Sequence, residues 1–318
     1  MTKATWLTER DIQTHLFSLE KIVKEVGETL LKTELKEIAD TQTYKGHESS
    51  TLDEVARELM QNSIDRYLPF FQGIIRCELR PFKKTYLESP KEERLCLIID
   101  ELDGTTNSKR AFSGAIRAKP VASISMALST SQNIGDIVVG AVFTLDTSDV
   151  FSSMKIGRGV FLSFHNGKIL DPQKLIHTKG DSKKRLCVAG YSNSHRKEKA
   201  QLEEALWAKG FRPYEGCRAS SMDIINIIRN GFDAYIDMRH FWSTKDEYGD
   251  EKESMLQAYD MAGVLPTALG CGLAVTDGLG DSLSKYTLHD TIPLVIARTD
   301  ILEAILSAIK PLISEWSR

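Results

Sequence analysis

Leu95-Cys96-Leu97-Ile98-Ile99-Asp100-Glu101-Leu102-Asp103-Gly104-Thr105-Thr106-Asn107 is the stretch on which the reading of this chain turns. Its first five residues form a short, continuous apolar run, the pattern of a buried strand. The run stops at acids, followed by a glycine, two hydroxyls and an amide. Asp100 and Asp103 are therefore expected at a strand end, where α/β proteins place their chemistry. Hard carboxylate oxygens suit magnesium, which is held by a few carboxylates together with water and substrate phosphate. Gly104 lets the backbone approach a phosphate closely. A helix starting at Thr105 or Thr106 would turn free amides and its dipole toward the dianion. The same Asp-Gly-Thr-Thr-Asn run is also ordinary turn and helix-capping chemistry, so the rest of the chain has to decide.

The chain has 318 residues, 42% hydrophobic and 27% charged, enough for a large core or two subdomains and without a sign of disorder. A net charge of −3 and a pI near 6.2 argue against a nucleic-acid-polymer binder or a basic membrane-surface protein. The five cysteines, Cys77, Cys96, Cys187, Cys217 and Cys271, lack the close spacing of a zinc knuckle or redox pair, and a reduced cytoplasm is the expected setting. Met1 to Trp6 has no apolar signal core, and no apolar run is long enough to span a bilayer.

Ile12, Leu16, Leu19, Ile22, Val23, Val26, Leu30 and Leu31 recur at helical spacing and predict one long amphipathic helix. Thr51 and Glu54 have capping-box spacing, so a second helix is expected from Thr51, with Asp53 in its first turn. Strands are expected at 121–128, 137–145 and 150–154, and their short connections favour an antiparallel sheet. Asn166-Gly167 punctuates its end, and a subdomain boundary is placed there: 1–170 with the first sheet, 171–318 completing the site. The second half alternates, with strands expected at 186–191, 233–238, 273–277 and 292–297. Helices are expected at 201–209, at 220–230, ending near Gly270, and from Asp300. Such alternation points to an α/β layer.

The first stretch resembles the aspartate-proline-isoleucine/leucine-aspartate-glycine-threonine motif of the inositol monophosphatase family. Tyr259-Asp260-Met261-Ala262-Gly263, with Leu269-Gly270-Cys271-Gly272 and Val275-Thr276-Asp277, resembles that family's tryptophan-aspartate-x-alanine-glycine motif and its glycine-rich sequel. Gly140 to Phe161 resembles the central hairpin and Gly231 to Asp237 a late strand. The resemblance implies a mixed α/β (α+β) fold, a layered αβαβα sandwich, and a magnesium-dependent phosphomonoesterase in which metal-activated water attacks phosphorus directly. It implies roughly two or three Mg2+ ions, with Mn2+ as a substitute, bound by Asp100, the Leu102 carbonyl, Asp103, Asp260 and Glu78. Thr105 would orient the water with Asp53 as its partner. Asp103, Gly104, Thr105, Thr106, Ser220, Ser221, Asp237 and Asp260 would face substrate, with Asp237 against its hydroxyls. The implied partner is a small phosphorylated polyol or sugar, an inositol phosphate by default, in a homodimer. Fructose 1,6-bisphosphate and a nucleotide 3′-phosphate are the alternative substrates. A phosphorylated-ligand-binding protein without turnover is the alternative of another class.

Three departures stand out. Glu78, upstream of the first motif, is the candidate for the family's glutamate ligand and base; the family usually has two acids side by side there, and if the first is the functional one, its equivalent is Cys77. Glu101 replaces the motif's proline, either as an exposed bystander or as a charge beside the metal. The charged run Lys245 to Glu253 lengthens the connection between Asp237 and Asp260 and reads as a solvated loop. His47, His195, His240 and His289 show no metal-ligand spacing and read as surface or satisfied core histidines.

Overall fold

A computed structural model describes residues 7–33, 40–44, 47–69, 71, 73–77, 95–113, 118–157, 159–172, 184–190, 195–242 and 255–316, with the side chains of 40–50 and 76–77 outside the description. In chain order these form α1 (Glu9–Lys32), β1 (Asp40–Tyr44), β2 (His47–Ser50), α2 (Thr51–Tyr67), β3 (Gly73–Cys77), β4 (Leu95–Asp103), α3 (Thr105–Ser113), β5 (Ser123–Ser129), β6 (Ile137–Thr144) and β7 (Val150–Ile156). There follow β8 (Val160–His165), β9 (Lys168–Ile169), β10 (Arg185–Val188), α4 (Arg196–Ala208), β11 (Arg212–Glu215), α5 (Ser220–Ile228) and β12 (Ala234–Asp237). The chain ends with α6 (Ala258–Ala262), α7 (Leu265–Gly270), β13 (Ala274–Asp277), β14 (Leu294–Ala297) and α8 (Leu302–Trp316).

Two sheets carry the fold. A seven-stranded sheet runs in the order β3-β4-β5-β6-β7-β8-β9 and a five-stranded one in the order β11-β10-β12-β14-β13. Every neighbouring pair of the first sheet is antiparallel except β3 and β4, a meander that short turns can build. In the second, β10 lies parallel to β11 and β12, while β14 pairs antiparallel with β12 and β13.

Period-two alternation sorts the side chains into layers. Leu97 and Ile99 of β4 join Ile124, Met126, Val139, Ala141 and Phe143 in a core shared with α1 and α2. Cys96 and Ile98 face the other way, into a core shared with Ile224, Met261 and Leu265 of the middle helices and with Tyr235 and Ile296 of the second sheet. The opposite face of that sheet, Ala234, Ile236, Val295 and Ala297, packs on Leu202 of α4 and Ile305 and Ile309 of α8. The layers therefore run helix, sheet, helix, sheet, helix, the sandwich that the family resemblance implies.

Thr8 and Asp11 form a reciprocal capping box that starts α1. Gly27 lets this helix lie close to the sheet, since a Cβ there would stand 2.1 Å from a ring carbon of Phe143. Arg229, just past α5, reaches back to the β6–β7 turn at 3.0 Å from both Asp146 and Thr144. That clasp fixes α5, which carries Ser220 and Ser221, against the first sheet.

Several boundaries differ from expectation. The final helix starts at Leu302 rather than Asp300, and the helix ending at Gly270 is split in two around Gly263 and Val264. β1, β2, β3 and β11 have no counterpart among the expected strands, and the sheet continues beyond Ile156 through β8 and β9. Asn166 and Gly167, both at positive φ, turn β8 into β9 rather than closing the sheet. Glu78 and the whole Lys245 to Glu253 stretch lie outside the described residues.

Candidate active site

Two aspartates three residues apart should point to opposite faces of a regular strand. A bulge removes the conflict: Asp100 pairs with Ser125 and Asp103 with Ser123, so β4 spends one residue more than β5 between them. Residues paired across strands share a face, so Asp100, Asp103, Ser123 and Ser125 look into the same middle layer. Leu102 meanwhile stays in the α1/α2 core with Ile99. Glu101 falls within the bulge, where the family motif has proline, a residue that bulges tolerate. It is only 1% exposed, which excludes the exposed-bystander reading: the departure puts a buried carboxyl beside the two aspartates.

Gly104 turns the chain at φ +91°, and a Cβ there would meet Ala219, Ala122 and the Val121 carbonyl at 3.0–3.1 Å. Glycine is required by conformation and by space. α3 begins at the next residue, with the amides of Thr105, Thr106 and Asn107 in its first turn, and the exposed Thr106 side chain at the rim. Thr105 Oγ1 donates to Asp53 Oδ1 at 2.7 Å and lies 3.1 Å from the Leu102 carbonyl oxygen. Asp53, in the first turn of α2, is buried.

The acids from the two halves of the chain meet through α5. The Ser221 amide donates to Asp103 Oδ2 at 2.7 Å, and Ser221 Oγ donates to the Asp260 carbonyl at 2.8 Å. Asp260 lies in α6, and its Oδ2 accepts from the Gln257 amide at 2.6 Å. Desolvation, and then the charge of Asp260, push the Asp103 carboxyl well above the usual carboxylate range. Burial likewise raises Asp260, to about 7, against the opposing pull of the Gln257 amide and Arg239. Two desolvated carboxylates that repel each other form an electrostatic site for a divalent cation.

No group of three or more His, Cys, Asp or Glu side chains among the described residues closes into a metal cage. Glu78, the further acid implied by the resemblance, lies outside those residues. Two other observations fit a hydrated ion. Ser123 Oγ and Ser125 Oγ are buried without a hydrogen-bond partner, on the strand positions opposite Asp103 and Asp100. The donor set is all oxygen, which suits magnesium.

Asp237 ends β12 fully buried, with Arg239 Nε at 3.0 Å and Nη2 at 2.6 Å from its two carboxylate oxygens. Tyr235 OH lies 3.3 Å from both Asp237 Oδ2 and Ser220 Oγ, which ties Ser220 into the same group. Arg239 was not among the residues singled out from sequence. Its signal was its place two residues after Asp237 at a strand end, within reach of the same carboxylate. Asn107, quoted in the opening stretch without a role, gives Nδ2 hydrogen bonds to the carbonyls of Val121 at 2.8 Å and Cys217 at 2.6 Å, so it ties α3 to the loop before α5. His195 is buried and stacks on Trp242, and His240 pairs with Thr291, in line with satisfied core histidines.

The glycine of the second motif also has a structural cause. A Cβ on Gly263 would stand 2.7 Å from Ser125 Cβ and 3.0 Å from the Met126 amide, so α6 could not keep its place on β5. Gly263→Ala is expected to destabilise the fold by about 1–3 kcal/mol. By shifting Asp260 it should also lower any hydrolytic rate roughly a hundredfold. Thermal melting and initial rates check this, and an unchanged rate would detach Asp260 from the chemistry.

The family model described as inositol monophosphatase family matches residues 9–313. Among solved structures, the extragenic suppressor protein SuhB from Bartonella henselae is 16% identical, with a TM-score of 0.67 over 93% of this chain and 98% of that one. SuhB of Mycobacterium tuberculosis is 15% identical, with a TM-score of 0.60 over 94% of this chain and 97% of that one. Inositol monophosphatase-II from Staphylococcus aureus is 12% identical, with a TM-score of 0.63 over 94% and 97%. At these identities the likeness is one of fold. No curated protein matches the chain in sequence. No helix among the described residues is long and apolar enough to cross a membrane.

Proposed function

Because the chain belongs to the inositol monophosphatase family, we propose that it is a magnesium-dependent phosphomonoesterase that hydrolyses a small phosphorylated polyol or sugar by direct attack of water. The observation that carries this reading is the bulge that turns Asp100 and Asp103 to one face, opposite Asp260. Asp100, Asp103, Asp260, the Leu102 carbonyl and Glu78 would hold the metal. Bound there, it would supply Lewis-acid stabilisation of the phosphoryl oxygens and of the leaving alkoxide, and a more acidic water.

The remaining work falls to the chain. With its hydrogen bond donated to Asp53, the Thr105 hydroxyl presents lone pairs that accept a hydrogen bond from the attacking water and turn that water's own lone pair toward phosphorus. The buried Asp53 carboxylate fixes the hydroxyl in this sense. Free amides of Gly104, Thr105 and Thr106 at the start of α3 would receive the phosphoryl oxygens, aided by the helix dipole. Ser221 sets the separation of Asp103 and Asp260 through its amide and hydroxyl. The proposal includes a cytoplasmic setting, as the cysteine usage suggests, and a homodimer, as the resemblance implies.

The test is phosphate release from inositol phosphates, fructose 1,6-bisphosphate, adenosine 3′,5′-bisphosphate and p-nitrophenyl phosphate, with magnesium and with a chelator. Release that requires magnesium is expected. Silence across the panel would favour a binding protein without turnover.

A further inference from the structure

Every buried serine hydroxyl among the described residues has a partner except two. Ser108 bonds the Gly104 carbonyl, Ser129 the Asn133 carbonyl and Ser153 the Leu162 carbonyl, at 3.1–3.3 Å, and the others are likewise bonded. Ser123 and Ser125, 0% and 1% exposed, bond to nothing in the protein. A buried hydroxyl without a partner is costly, and a methyl would fill either place on β5 without that cost. Both lie on the face of β5 that looks into the middle layer, one opposite Asp103 and the other opposite Asp100. Side chains paired in this way stand roughly 5 Å apart at Cβ, a gap that one water bridges between hydroxyl and carboxylate. A second contact turns Ser125 toward the remaining acid. A Cβ on Gly263 would stand 2.9 Å from Ser125 Oγ, so this hydroxyl faces the end of α6, one turn past Asp260. Ser125 thus sits between the strand of Asp100 and Asp103 and the helix of Asp260. A hydroxyl both accepts and donates, a carboxylate only accepts, and a water on a divalent cation is a strong donor. A serine between the two can take a hydrogen bond from the water and give one to the carboxylate.

We propose that Ser123 and Ser125 are positioning residues that hold the water shell of a divalent cation seated between β4 and α6, and that they make the site prefer magnesium to calcium. This rests on the metal-dependent phosphatase reading above. Magnesium sheds water reluctantly and keeps several molecules, whereas calcium takes more direct oxygen ligands in a looser geometry. Hydroxyls that hold water rather than metal therefore act on magnesium more than on calcium.

The experiment titrates metal-stripped protein calorimetrically with magnesium chloride and with calcium chloride, for the wild type, the double variant Ser123→Ala/Ser125→Ala and Ser129→Ala. The double variant is expected to bind magnesium about 10- to 100-fold more weakly, the range for groups that support a ligand rather than touch the metal. Its calcium affinity should fall by less than about threefold. Its metal-free Tm should stay at or above that of the wild type, because no protein group loses a partner. Ser129→Ala, on the same strand but bonded to Asn133, should show the reverse: a Tm lower by about 2 °C or more and an unchanged magnesium affinity. Equal magnesium binding by wild type and double variant, or equal weakening of both cations, overturns the assignment and leaves the phosphatase reading standing. So does a wild type that binds calcium as well as magnesium, or a metal-free double variant that melts lower or fails to fold. Absence of saturable binding of either cation by the wild type would overturn the metal centre itself, and both readings with it.

Discussion

Asp103→Asn is expected to abolish hydrolysis and leave the fold intact. Asp103 is a charge at a strand end, bonded to the Ser221 amide and set against Asp260, not a packing residue. Losing several kcal/mol of metal-borne charge stabilisation corresponds to a fall in kcat/KM of at least about a thousandfold. The asparagine keeps an acceptor for Ser221, so the helix N-terminus stays docked. The metal-free variant should also be more stable than wild type at neutral pH. Burial raises the folded pKa of Asp103 and of Asp260, the latter to about 7. Between the ordinary carboxylate pKa and that raised value the folded state binds more protons than the unfolded one, so stability falls as pH rises through this window. Metal-free wild type should therefore melt higher near pH 5 than near pH 8, and Asp103→Asn should flatten the trend. Circular dichroism and melting curves check both, and an unfolded variant would make Asp103 structural.

Thr105→Val should lower kcat by roughly a hundredfold, the lower end of what a positioned proton-handling group contributes, with a much smaller change in KM. Valine keeps the shape but removes the hydroxyl that joins Asp53 to the site. Thr105→Ser restores a hydroxyl at the same place and should recover most of the rate. A merely structural role would give the opposite pattern, because Val preserves packing better than Ser does. Steady-state kinetics on the two variants decide it, and equal rates for Val and wild type would remove Thr105 from the mechanism.

What could be read from sequence was what local pattern encodes. The apolar run ending at Asp100, the helix beginning at Thr105 and the long face of α1 each follow from residues within one or two turns of one another, and all three appear in the structure. β3 and β11 escaped because they are short edge strands whose identity depends on the strand they pair with. Gly73-Ile74-Ile75 needs β4 beside it, and Arg212-Pro213-Tyr214-Glu215 carries a proline that demotes a strand. The bulge between Asp100 and Asp103 was invisible because it is defined by Ser123 and Ser125 on another strand. Without it the spacing of three reads as a conflict rather than as one face.

The site divides in the same way. Asp53 and Thr105 were paired through the family resemblance, and their side chains meet. Ser221, expected toward substrate, gives its amide to Asp103 and its hydroxyl to the Asp260 carbonyl, a tertiary fact that no local pattern carries. Arg239 was legible in principle, since it follows Asp237 by two residues. Only burial shows that the pair closes on itself rather than opening to a ligand.

The most direct measurement is magnesium binding to the protein stripped of metal, followed by isothermal titration calorimetry at pH 8, because it does not depend on knowing the substrate. Saturable binding to wild type, weakened at least about tenfold by Asp103→Asn as expected for a lost charged ligand, is the predicted result. Absence of saturable binding, or equal binding by wild type and a folded Asp103→Asn, would contradict the placement of a metal centre between β4 and α6.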